Sequence, residues 1–218
     1  MARLFLIDAV AALLTLLGWY FCFSRFNRRK AAKALKAVEA ACDGFGQLVE
    51  TYWVGSSRVQ AKLRFAAHWF DNARVTVRLL PRPMPLRWML SLWRRERETV
   101  TFEADLDYAP SVRLDVLRHR WLTPTKKRKT GSGMRDWTIV HPGPVVLTTR
   151  NQWTQELPPV ISTLMTSRGH DLLSVRFRPQ SPHLAATVEL EALADADAVA
   201  GFLNVVRDLA AGASKSRH

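Results

Sequence analysis

The chain has 218 residues, 48% hydrophobic and 23% charged, with 32 Lys and Arg against 19 Asp and Glu, a formal net charge of +13. That length admits one moderate domain with its own core and argues against two large ones, and the apolar content excludes a chain disordered throughout. The basic excess implies an acidic neighbour, be it anionic lipid, an acidic protein or nucleic acid; with only Cys22 and Cys42, there is no disulfide framework and no CxxC metal signature.

The first element runs from Leu4 to Phe23, LFLIDAVAALLTLLGWYFCF. As a helix, a run of about 20 residues extends about 30 Å, the thickness of a bilayer's hydrocarbon core. Leu4, Phe5, Leu6 and Ile7 open it, Leu13, Leu14, Leu16 and Leu17 fill its middle, and Trp19, Tyr20 and Phe21 close it with the aromatic girdle expected at an interface. Asp8 lies near the start, within reach of headgroups. A cleaved signal peptide needs small residues at its cut site, whereas this run ends in bulky aromatics, so the segment is expected to stay as an anchor.

Directly afterwards come Arg25, Arg28, Arg29, Lys30, Lys33 and Lys36, against Arg3 and the amino terminus on the other side. By the positive-inside rule the N-terminus is expected outside and the C-terminal domain in the cytoplasm, at the inner (plasma) membrane. Arg25, Arg28, Arg29, Lys30 and Lys33 are also candidates for anionic headgroups. A solvated topology signal would have the same composition. Arg28 to Asp43 is alanine-rich, with Leu35 and Val38 on one side and Gly44 as the C′ glycine, which predicts a helix continuing from the anchor.

Alternation then predicts strands over Arg58 to Phe65 and Arg74 to Leu79, with Asp71 and Asn72 as the turn between them. An excursion follows. Pro85 to Glu96, PLRWMLSLWRRE, predicts a short helix with Leu86, Trp88, Met89, Leu90, Leu92 and Trp93 on one wide arc and Arg87, Arg94 and Arg95 on the other. Such a helix fits three settings: the domain core, a bilayer surface, or another membrane protein.

Strands resume at Thr99 to Asp107 and Val112 to Trp121, where acidic and basic outward residues are set to pair across the sheet. TPTKKRKTGSGMRD, with Lys126, Lys127, Arg128 and Lys129, reads as an exposed basic loop and a second candidate for anionic lipid. A strand broken at His141-Pro-Gly-Pro, a helix from Pro158 to Arg168, and a hairpin joining Leu172 to Arg178 with Leu184 to Leu193 come next. An amphipathic helix capped by Asp195, with Val199, Phe202, Leu203, Val206 and Ala210 on its buried stripe and Gly212 at its end, closes the chain.

Strands in hairpins with segregated helices predict an α+β domain, an antiparallel sheet packed by helices, behind a single transmembrane helix. The expected boundaries are an anchor over 1–24, a basic juxtamembrane helix over 25–44, the domain over 45–212 with its flexible loop at 122–137, and a disordered tail over 213–218. No phosphate loop, G-x-S-x-G or H-E-x-x-H occurs, and the six histidines stand apart, so no catalytic residue, metal or cofactor is expected. Nucleic acid is not expected as a partner, because the aromatics Phe65 and Phe102 alternate away from the Arg side of their strands. The expectation is a non-catalytic accessory, scaffold or assembly subunit that docks on an integral membrane protein through the Trp/Arg-rich helix. A tethered domain binding anionic lipid is the alternative, and an anchored enzyme the third.

Overall fold

The computed structural model describes residues 2–66, 70–107, 110, 114–118, 137–140, 145–150 and 172–215. Helix α1 (Ala2–Cys42) leads into β1 (Gly46–Trp53), β2 (Arg58–Phe65) and β3 (Asp71–Arg78), followed by α2 (Pro85–Trp93), β4 (Thr99–Asp105) and β5 (Leu114–Arg118). Then come β6 (Trp137–Val140), β7 (Val145–Arg150), β8 (Leu172–Phe177) and β9 (Leu184–Glu189), a 3-10 turn (Leu190–Leu193) and α3 (Ala196–Lys215). Among the described residues, nine strands form one sheet in the order β1-β2-β3-β4-β9-β8-β5-β7-β6. All its pairings are antiparallel. The fold is α+β.

α1 is a single helix of 41 residues, about 60 Å long at 1.5 Å per residue. Its first half touches little: Phe5, Leu6, Ile7, Leu13, Leu14, Leu16 and Leu17 are all exposed. Among the described residues it is the one helix long and apolar enough to cross a membrane. Its second half buries Asn27, Ala31, Leu35, Val38 and Cys42, spaced by three and four residues as one stripe. The alanines between them favour helix and let the backbone approach the sheet. The basic helix expected after the anchor thus continues it without a break and forms a wall of the core. Gly44, at φ +88°, ends the run after Cys42 by taking the left-handed conformation that other residues resist.

α3 packs alongside this second half, and the pair shares one hydrophobic core with β2, β3, β4, β8 and β9. Beneath them lie Val59 and Ala61 of β2, Val75 and Val77 of β3, Phe102 of β4 and Ala186 of β9, all buried. Asp195 caps α3 through Ala198 N–H (2.8 Å), and all five residues of the expected stripe are buried. Among the described side chains of β2, β3, β4 and β9, the opposite face is polar. There Lys62 pairs with Glu50 at 2.9 Å, Arg74 with Glu103 at 3.8 Å, and Arg97 with Glu189. Thr76, Thr101 and Thr187 form a cross-strand row in the same surface, each such pair contributing a few tenths of a kcal/mol or so.

Four local expectations change. β1 was not anticipated: a bulge between Leu48 and Glu50 interrupts its period of two, and as an edge strand it leaves Val49, Tyr52 and Trp53 exposed. Asp71 and Asn72 begin β3 instead of forming a turn, because Asn72 tolerates φ +47° at a second register shift, where its amide donates to Asp105 Oδ2 (3.1 Å). Leu190 to Leu193 leaves the strand as a 3-10 turn that buries Leu190 and Leu193, and α3 continues past Gly212 to Lys215. The basic loop Lys126 to Lys129 and the helix expected over Pro158 to Arg168 lie outside the described residues.

A chain starting at residue 25 is expected to keep a protease-resistant domain in solution or detergent. One starting at residue 45 lacks Ala31, Leu35, Val38 and Cys42 from the core and is expected to be digested throughout; limited proteolysis with mass mapping compares the two.

Candidate functional site

The residues that distinguish this protein gather where α1 enters the domain. Pro81, Pro83 and Pro85 limit the conformations of the approach to α2, and Pro85 takes the first helical position, where its missing N–H costs no hydrogen bond. At the other end Arg94 N–H bonds Leu90 O (2.9 Å) and Glu96 N–H bonds Ser91 O (2.9 Å). Between them Arg95 adopts φ +51°, the left-handed step that turns the chain back toward β4.

At about 100° per residue, α2 has two apolar sides. Trp88 and Ser91 face α1 and the domain. Ser91 is buried with its hydroxyl on Trp88 O (2.8 Å), and the Trp88 ring lies 5.7 Å from both Trp19 and Phe23 of α1. Leu86, Met89, Leu90 and Trp93, at the i, i+3, i+4, i+7 spacing of a core-facing stripe, point the other way. Leu86 is 79% exposed, Met89 65% and Trp93 83%. Core packing of this stripe is thus not what the chain adopts, and the apolar arc read from the sequence is split between two directions.

Beside the aromatic step lies a buried polar joint. Asn27, fully buried on α1, donates through Nδ2 to Leu80 O (3.0 Å) and Ser56 O (3.3 Å), so one side chain ties the helix to the β1–β2 turn and to the end of β3. Its Oδ1 accepts from Arg82 (3.2 Å). The Arg82 guanidinium also reaches Glu98 Oε1 (2.5 Å) and sits 5.1 Å over the Phe26 ring, while Trp19 Nε1–H donates to Arg82 O (3.0 Å). Lys30 takes the other oxygen of Glu98 (2.5 Å), and Leu80 N–H completes the carboxylate's partners (3.1 Å). Burial alone would raise the Glu98 carboxyl; Lys30, the Leu80 amide and Arg82 outweigh it and hold the group below its ordinary range.

Of the residues expected at headgroup depth, Arg25, Arg28, Arg29 and Lys33 are exposed, whereas Lys30 is turned inward onto Glu98. Arg87, Arg94 and Arg95 are exposed around α2. Leu92 is exposed as well. Trp19, Trp88 and Phe23 come together, and Tyr20 and Phe21 remain on the outer side of α1. Sequence reasoning missed Asn27, Arg82 and Glu98, which are 71 positions apart from first to last. The available signal was polar: an Asn one turn beyond the apolar run, and a Glu directly before the first residue of a strand.

The chain matches no protein-family model and no curated protein sequence.

Glu98→Gln keeps the shape but leaves Arg82 and Lys30 without their counter-charge. Both cations are partly solvated, so the expected loss is about 2–3 kcal/mol, below that of a fully buried pair, read as a lowered unfolding midpoint in detergent. Because the folded carboxyl titrates below its unfolded value, the joint's contribution is complete above the ordinary glutamate range near pH ~4.3 and is lost as pH falls through the lowered folded value. Glu98→Gln should flatten that part of the acid stability profile.

Proposed function

We propose that this chain is a single-pass membrane protein whose α+β domain is fixed at the cytoplasmic surface of the inner membrane, where it serves as a non-catalytic accessory, scaffold or assembly subunit of a membrane complex. The observation that carries this reading is the division of α1: one unbroken helix, exposed and apolar through its first half and core to the domain through its second. A domain built onto its own span cannot drift from the bilayer, which suits a part that holds other components in register. Arg25, Arg28 and Arg29, exposed just past the apolar run, support the cytoplasmic orientation.

A second reading, direct engagement of anionic lipid by the domain, is favoured by one specific observation. The exposed stripe of α2 adjoins the aromatic end of the span, with Arg87, Arg94 and Arg95 around it. The two readings are compatible, since a scaffold can be oriented by lipid while it binds a partner elsewhere.

Purified in mild detergent from its native membrane, the chain is expected to bring a stoichiometric integral membrane protein with it, identified by mass spectrometry. A folded chain that always runs alone overturns the accessory-subunit reading, and digestion of its bulk by protease added outside intact cells overturns the orientation.

A further inference from the structure

We propose that the exposed stripe of α2 and the tip of the β1–β2 turn together form a lipid-facing foot, which inserts into the bilayer interface and sets the angle at which the domain stands on the membrane. The proposal rests on the reading of α1 as a span, and it commits both surfaces to lipid, not to a protein partner.

Depth along α1 carries the first part of the argument. The apolar run ends at Phe23, followed by Ser24 and Arg25, so Trp19 to Phe23 mark the boundary between hydrocarbon and headgroups. Trp88 contacts both Trp19 and Phe23, with ring centroids 5.7 Å away in each case. α2 is therefore held at the boundary, not in the cytoplasm beyond it. Its Leu86, Met89 and Trp93 point away from α1 and from the domain, into the volume that acyl chains and headgroups occupy at this depth. In water that stripe would be an unexplained apolar surface, while at an interface it is the buried face of an in-plane helix.

The β1–β2 turn supplies a second, independent point. Asn27 lies four residues past Phe23, about 6 Å further along the helix axis, which is still headgroup depth for a bilayer whose polar layers are each several Å thick. Ser56 of the turn is bonded to that same Asn27 (3.3 Å). Next to it Trp53 and Val54 are exposed, and Gly55 takes φ +77° to fold the tip. Two segments well separated in sequence thus carry exposed Trp and aliphatic side chains to one level of the span. Arg25, Arg28 and Arg94, all exposed, are the charges that anionic headgroups would meet there.

The partner is accordingly a bilayer surface containing anionic lipid, and two contacts besides the span restrict rotation and tilt of the domain. The buried Asn27–Arg82–Glu98 joint makes the link stiff, so that the orientation of the foot and the orientation of α1 are one quantity.

The test uses the full-length chain, with Cys22→Ser and Cys42→Ala, reconstituted in vesicles of zwitterionic and anionic phospholipid. Single cysteines replacing Leu14, Asp43, Trp53, Met89 or Trp93 carry a nitroxide label, and electron paramagnetic resonance compares its collisions with oxygen and with a water-soluble nickel complex. Labels at 53, 89 and 93 are expected to favour oxygen, as the label at 14 does in the span, whereas the label at 43, at the far end of α1, favours nickel. Nickel-accessible labels at 89 and 93 alongside an oxygen-accessible label at 14 overturn the foot and leave the anchor standing. Labels at 89 and 93 shielded from both reagents indicate a protein contact, a second copy or a partner, and also overturn it. A nickel-accessible label at 14 removes the span reading itself, and the foot with it.

Discussion

An α-helix satisfies its backbone hydrogen bonds only along its own axis, and it cannot turn sharply without leaving some of them open. The architecture depends on α1 running as one unbroken helix from Ala2 to Cys42. Its stripe of Asn27, Ala31, Leu35, Val38 and Cys42 is committed to the sheet, so the axis of the preceding apolar half is fixed by the same packing. A flexible tether would have let the domain sample many poses. Here the wall of the core and the membrane-competent rod are one object.

Two kinds of contact lock that object to the rest, and they do different work. The Trp19, Phe23 and Trp88 rings supply area and a tilted aromatic geometry that tolerates small shifts. The Asn27, Arg82 and Glu98 joint tolerates little, because each displaced partner leaves a buried amide or charge unsatisfied. Removing two charges from water offsets much of what their attraction returns. The joint's contribution is therefore better described as choosing one relative placement of α1, the β1–β2 turn and α2 than as adding to net stability.

The sheet shows the same separation of duties on its two faces. Under α1 and α3 it is Val, Ala, Leu and Phe. On the other face four basic residues are matched by acidic ones: Lys62 by Glu50, Arg74 by Glu103, Arg78 by Glu96 and Arg97 by Glu189. The excess positive charge among the described residues is thus concentrated less on the sheet than on α1 and α2, in Arg25, Arg28, Arg29, Lys33, Arg87, Arg94 and Arg95. That placement is what a pose next to anionic headgroups requires.

Local chemistry made much of this legible from the sequence. Unbroken apolarity defines the first half of α1, alternation defines β2, β3, β4 and β9, and Asp195 with its periodic stripe defines α3, because each pattern is enforced by neighbours a few residues away. β1 escaped since a bulge at Val49 shifts its alternation by one, and Asn72 was misplaced since the same residue type serves turns and bulges alike. The site depended on something the sequence does not contain. Leu86, Met89, Leu90 and Trp93 have the spacing of an inward stripe, and only the contact of Trp88 with Trp19 and Phe23 decides that the stripe points outward. Periodicity determines which residues share a face of a helix, but the direction of that face is decided by what lies beside it, and here that neighbour is 65 to 69 residues away in the chain.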